Sequence, residues 1–188
     1  MLETLLGDDV ESSGRYLPEL IYGANDGIVT TFAVVAGVAG ASLSPGIVIV
    51  LGFANLFADG FSMGMSNYLA ERSEEDYHDA RGDGHARTDG KTPVRTAAAT
   101  FAAFIVAGWA PLFPYVLRVE PLFPYVLRVE PLFPVSIAVT AAAFFAVGAS
   151  RSLVTNRSWL ANGVEMFVVG MAAATVAYAV GNLLAGVA

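Results

Sequence analysis

The sequence predicts an all-α integral membrane protein with five transmembrane helices, and three observations carry that expectation. Of its 188 residues 55% are hydrophobic and only 14% charged, with a mean hydropathy of +0.59, where a soluble domain carries about 25% charged residues. The charges crowd into residues 1–20, 71–95 and short connectors, leaving long apolar runs between them. Those runs do not alternate, and they are long enough for about 20 helical residues to cross a hydrocarbon core of about 30 Å. In lipid only helices and closed barrels satisfy their own backbone, and unalternating runs of this length exclude barrel strands.

The elements follow in order. Residues 1–20 carry Glu3, Asp8, Asp9, Glu11 and Glu19 against Arg15 alone. Without a basic leading region the segment does not read as a cleavable signal peptide, and a surface helix leading into the membrane domain of residues 21–188 is expected. The first span is predicted over Ile21–Ala41, ending at the turn "SLSPG", and the second over Ile47–Ala70, with a polar continuation from Glu71. A hydrophilic connection fills 71–95. The third span is predicted over Thr96–Leu117, the fourth over Pro134–Ser150 and the fifth over Trp159–Val187. Between the third and fourth, "PLFPYVLRVE" at 111–120 recurs unchanged at 121–130 and is followed by "PLFP". Two prolines per copy predict an irregular far-side connection over 111–134. No function is assigned to it.

Orientation follows from the basic residues of the connections. With the N-terminus in the cytoplasm, Arg15, Arg72, Arg81, Arg87, Lys91, Arg95, Arg151 and Arg157 lie inside, and only Arg118 and Arg128 outside. No basic patch points to nucleic acid. The chain has no cysteine, which excludes disulfides and thiolate metal sites. The spans hold no nucleophile–base constellation of an enzyme, and no resident cofactor is expected.

Three acids fall inside spans: Asp26, Asp59 and Glu165. Buried carboxylates are costly in hydrocarbon and mark functional sites by default. In the second span Asn55, Asp59, Ser62, Met63, Ser66 and Asn67 recur at helical spacing and form one polar face. Oxygen ligands with a thioether suit a transition-metal cation better than Mg2+ or Ca2+. The first span adds Asn25, Asp26 and Thr30; the fifth adds Asn162 and Glu165. The bland alternatives are a neutral acid hydrogen-bonded inside the bundle for Asp59, a helix-end carboxylate for Asp26 and an interhelical hydrogen bond for Glu165. Met65, Met166 and Met171 read as packing. The pairs Gly23/Gly27 and Gly60/Gly64 form GxxxG, which predicts close helix approach, within the chain or across a dimer. Beyond the second span, Glu71, Glu75 and His78 share a helical face and could gather metal at the cytoplasmic mouth. The alternative there is a solvated acidic helix end.

The stretches "DGIVTTFAVVAGVAGA", "ADGFSMGMSNYLAERSE" and "NGVEMFVVGMAAATVAYAVG" together resemble the vacuolar iron transporter family, over roughly residues 20–186. The resemblance implies a homodimer of five-span protomers that moves Fe2+, and often Mn2+, out of the cytosol in exchange for protons. The path would lie at the dimer interface and be lined by the first two spans. Carried over by position, Asp26 is similar to the family's first-span acid and Met63 to its second-span methionine. Asn55 stands where plant and fungal members tend to have glutamate, and Asp59 is our candidate for that role. The short 71–95 segment cannot build the cytoplasmic metal-binding domain of eukaryotic members, which implies a prokaryotic type resident in the plasma membrane. A carboxylate that takes a proton and a divalent ion in turn couples the two flows. The alternatives are a membrane scaffold or sensor that binds metal without moving it, and an exporter of another divalent cation.

Overall fold

The structure is a computed structural model that describes residues 14–82, 91–117, 131–153, 155 and 157–185. Among these residues there is no strand, and five helices are long and apolar enough to cross a membrane. They are α1 (Leu17–Gly40), α2 (Pro45–Arg81), α3 (Pro93–Leu117), α4 (Leu132–Ser150) and α5 (Trp159–Leu184). The chain is therefore a multi-pass, all-helical membrane protein. Most of the N-terminal segment, residues 83–90 of the connection and the last residues of the fifth predicted span lie outside the described residues.

Helix α1 is the centre of the bundle and touches all four other spans. It starts four residues earlier than expected because Pro18 fits the first turn, where no amide hydrogen is needed. Helix α2 begins with Pro45 in the same way and runs without a break for 37 residues. The predicted polar continuation beyond Glu71 is thus the same helix, capped by Gly82 in the left-handed conformation at φ 77°.

The predicted end of the third span at Leu117 holds, and only the expectation of an irregular connection from residue 111 fails in the duplicated stretch. Its first seven residues, 111–117, are the last two turns of α3, with Pro111 and Pro114 inside the helix and buried. Helix α4 packs against this end of α3, and its Ser136 hydroxyl donates to the Pro111 carbonyl at 2.7 Å. The third "PLFP" opens α4, with Pro131 as its cap residue. Residues 118–130 lie outside the described residues.

Every fourth residue is buried along the helix contacts. On α2 these are Val48, Gly52, Leu56, Gly60 and Gly64, and on α3 Thr96, Thr100, Phe104 and Gly108. Such i,i+4 rows let ridges of one helix fill grooves of the next. Both GxxxG pairs are consumed in these contacts. A Cβ on Gly23 would lie 2.5 Å from the Thr100 carbonyl, and one on Gly27 would overlap that of Phe104. A Cβ on Gly64 would come within 3.0 Å of the Ala97 carbonyl. The glycines bring α1 and α2 onto α3 of the same chain.

Candidate functional site

Asp26 sits on α1 half-buried. It directly precedes Gly27, whose contact with Phe104 fixes how α1 leans on α3. The Thr30 hydroxyl donates to the Asp26 backbone carbonyl at 2.9 Å and leaves the side chain alone. Among the described residues the Asp26 carboxylate accepts no hydrogen bond. Its electrostatic neighbour is Asp59 of α2, close enough for the two charges to act on each other. The two in-span aspartates that the sequence singled out are thus brought together from different helices.

Asn55 and Met63 flank Asp59 one turn away on either side, and both are half-buried. The Asn55 side-chain nitrogen is buried without a hydrogen-bond partner among the described residues. Met63 packs against the edge of the core formed by Leu56 and Phe104. Asp26 of α1 thus lies within electrostatic reach of Asp59 of α2, whose helix carries Asn55 and Met63 one turn to either side. Like charges held together in a poorly polarisable medium repel, and a cation between them removes the repulsion. Oxygen and sulfur donors together suit a first-row divalent metal.

The rest of the predicted stripe has other partners. Asn67 donates to the Thr100 hydroxyl at 2.6 Å and ties α2 to α3. Ser66 donates to the Ser62 carbonyl at 2.9 Å, and both serines face outward. Glu165 does not join the aspartates: Arg157 donates to it at 2.9 Å, and Arg151 stands 3.9 Å away. Asn162 is fully buried and donates to Thr155, holding the α4–α5 turn. At the end of α2, His78 lies 3.9 Å from Glu74. Among the described residues no group of three or more His, Asp or Glu is gathered as a metal site.

One acid escaped the sequence reading. Glu19, assigned there to the polar N-terminal segment, is 92% buried, one residue after Pro18 in the first turn of α1. Its Oε1 accepts from Lys91 Nζ at 2.8 Å, and the Thr92 amide donates to the Tyr16 hydroxyl at 3.3 Å. The chain ahead of α3 is thereby fastened to the start of α1. The available signal was the seven-residue step from Glu19 to Asp26, which puts both acids on one side of the helix. Removing one partner of a buried pair strands the other charge. Glu19→Gln is expected to lower stability by about 3 kcal/mol, and Glu19→Met with Lys91→Met to recover most of that loss. Thermal unfolding of the purified variants checks both; equal melting points for wild type and Glu19→Gln would rule the fastening out.

Comparison with known proteins agrees with this architecture. Residues 17–83 and 81–182 match the VIT family. A Toxoplasma gondii protein named vacuolar iron transporter is 42% identical over 80 residues, which are 40% of this chain and 26% of that protein. Vacuolar iron transporter 1 of Arabidopsis thaliana is 39% identical over 79 residues, 40% of this chain and 32% of that protein. The Plasmodium falciparum vacuolar iron transporter is 44% identical over 61 residues, 32% of this chain and 22% of that protein. The matched stretch spans less than a third of each of these relatives. The family match, by contrast, runs through all five helices, and the chain belongs to the VIT family.

Proposed function

We propose that the chain exports divalent transition metal, Fe2+ and with it Mn2+, from the cytosol in exchange for protons. The observation that carries this reading is that Asp26 and Asp59, from different helices, lie within electrostatic reach of each other in predominantly apolar spans. Two carboxylates match the charge of a divalent ion, and each can instead carry a proton, so one site serves both flows. The relatives named iron transporters support iron as the cargo. With each carboxylate binding through one oxygen, Asp26, Asp59, Asn55 and Met63 supply four donors, fewer than an octahedral ion takes. A second copy completes the set in our reading: Ala58, Ser62 and Ser66, exposed on the side of α2 that carries Asp59, leave that flank open to it. The path then runs between two copies, along α1 and α2. The eight basic residues at the ends of the connections favour a cytoplasmic N-terminus, in a prokaryotic plasma membrane.

The test is Fe2+ uptake into proteoliposomes with an imposed pH gradient. Uptake that follows the gradient and stops when an ionophore collapses it is the expected result. Fe2+ binding to folded, inserted protein without gradient-dependent flux would replace the transporter by a metal-binding scaffold.

A further inference from the structure

The end of the bundle where α1 begins carries a second cleft, separate from the two aspartates. It holds about 340 Å³ between α1 and α5. Its rim is polar, with Asn25 and Tyr22 from α1, Arg151 after α4 and Glu165 from α5. Its wall is apolar, with Ile21 on one side and Met166 and Val169 on the other. On α5 the wall residues Met166 and Val169 lie deeper along the helix than Glu165, while on α1 Ile21 sits at the level of the rim.

The charges at this rim do not cancel. Two guanidiniums, Arg151 in the cleft lining and Arg157 just outside it, face one carboxylate, Glu165. Arg157 uses that carboxylate at 2.9 Å, while Arg151 is 3.9 Å from it, beyond hydrogen-bond reach. The first turn of α5 contains no acid, so the positive end of that helix adds to the surplus. A chain of net charge −7 thus carries a local cationic patch. Arg151 is also held in place. Its carbonyl accepts from the Thr155 hydroxyl at 2.8 Å, and Thr155 in turn accepts from the fully buried Asn162. Tyr22 and Trp159, both more than half exposed at this end, are the amphipathic rings that favour the headgroup level.

From this geometry we infer that the α1–α5 cleft binds an anionic glycerophospholipid from the leaflet on the side where α1 begins. Arg151 and Arg157 hold its phosphate, and Ile21, Met166 and Val169 line the start of an acyl chain. A cation finds no welcome between two arginines, and a free phosphate leaves the apolar wall unused. Glu165 is then a competitor for the guanidiniums, and its removal strengthens the site. The inference does not rest on the transport reading, since lipid retention is measured without metal.

The experiment is native mass spectrometry of the full chain, released from micelles after incubation with equal amounts of phosphatidylglycerol and phosphatidylcholine. The expected result is retention of phosphatidylglycerol over phosphatidylcholine, reduced about fivefold by Arg151→Gln or Arg157→Gln and raised about fivefold by Glu165→Gln, the effect of one charge near a membrane surface. The opposite directions separate a lipid site from a merely structural ion pair, which Glu165→Gln would weaken. Equal retention of the two lipids would overturn the inference, as would a Glu165→Gln variant with unchanged or lower retention. Displacement of phosphatidylglycerol by low-millimolar inorganic phosphate would reassign the cleft to free phosphate. Should Arg151→Gln fail to insert, Arg157→Gln and Glu165→Gln carry the same test.

Discussion

Asp26→Asn is expected to lose at least about thirtyfold in gradient-driven Fe2+ uptake while still inserting and folding. At an effective dielectric constant of about 20, a unit charge and a divalent ion roughly 4 Å apart interact by about 8 kcal/mol. If only a quarter of that survives desolvation, about 2 kcal/mol remains, which is the thirtyfold. Stability is expected to move the other way. The Asp26 carboxylate accepts no hydrogen bond among the described residues and faces the like charge of Asp59, so the amide relieves repulsion and the melting point holds or rises. A structural acid would show the reverse, full transport with a lowered melting point. Asp59→Asn is expected to behave similarly. The double variant should be little worse than the weaker single one, because groups that hold one ion do not act additively. Uptake by Asp26→Asn within twofold of wild type would remove α1 from the path.

The second large effect is expected from one methyl group beside that acid. In Gly27→Ala the new Cβ would overlap the Phe104 carbonyl and lie 2.9 Å from the Phe104 Cα. Both are backbone atoms, so no side chain can swing aside and the two helices must part. Overpacking of this kind costs about 3 kcal/mol. Because α1 is the centre of the bundle, the displacement also pulls Asp26 away from Asp59, and uptake falls with stability. Gly37→Ala, ten residues along the same helix, meets nothing within 4 Å and is expected to be nearly silent. Thermal unfolding of the two variants in one detergent gives the comparison. Equal melting points would mean that α1 and α3 do not approach at Gly27 as described.

The contrast between these two glycines also shows what the sequence could and could not convey. Five spans and their polar connections were legible because apolar length and segregated charge are local properties. The face Asn55–Asp59–Met63 was legible because helical periodicity is local too. Which helix a face meets is not local. GxxxG announced close approach at Gly23 and Gly27, but only the fold shows that the partner is α3 of the same chain. Glu165 and Glu19 exchanged expected roles for the same reason. Glu165 looked membrane-embedded, yet an arginine eight residues earlier reaches it. Glu19 looked solvated, yet a lysine 72 positions away covers it. Prolines 111 and 114 fall inside the predicted third span, but only the fold shows that α4 packs there, with the Ser136 hydroxyl on the Pro111 carbonyl.

Helix α2 runs unbroken from Pro45 to Arg81, about 55 Å at 1.5 Å per residue. Such a rod has no joint at the membrane surface, so it behaves as a lever with Asp59 on its shaft. A tilt of about 10° around the Pro45 end would sweep the Arg81 end sideways by roughly 10 Å, while Asp59 itself would travel less than half as far. Small displacements at the aspartate pair are therefore mechanically geared to large ones at the acidic tip. A label at Tyr77 would report in amplified form what happens around Asp59.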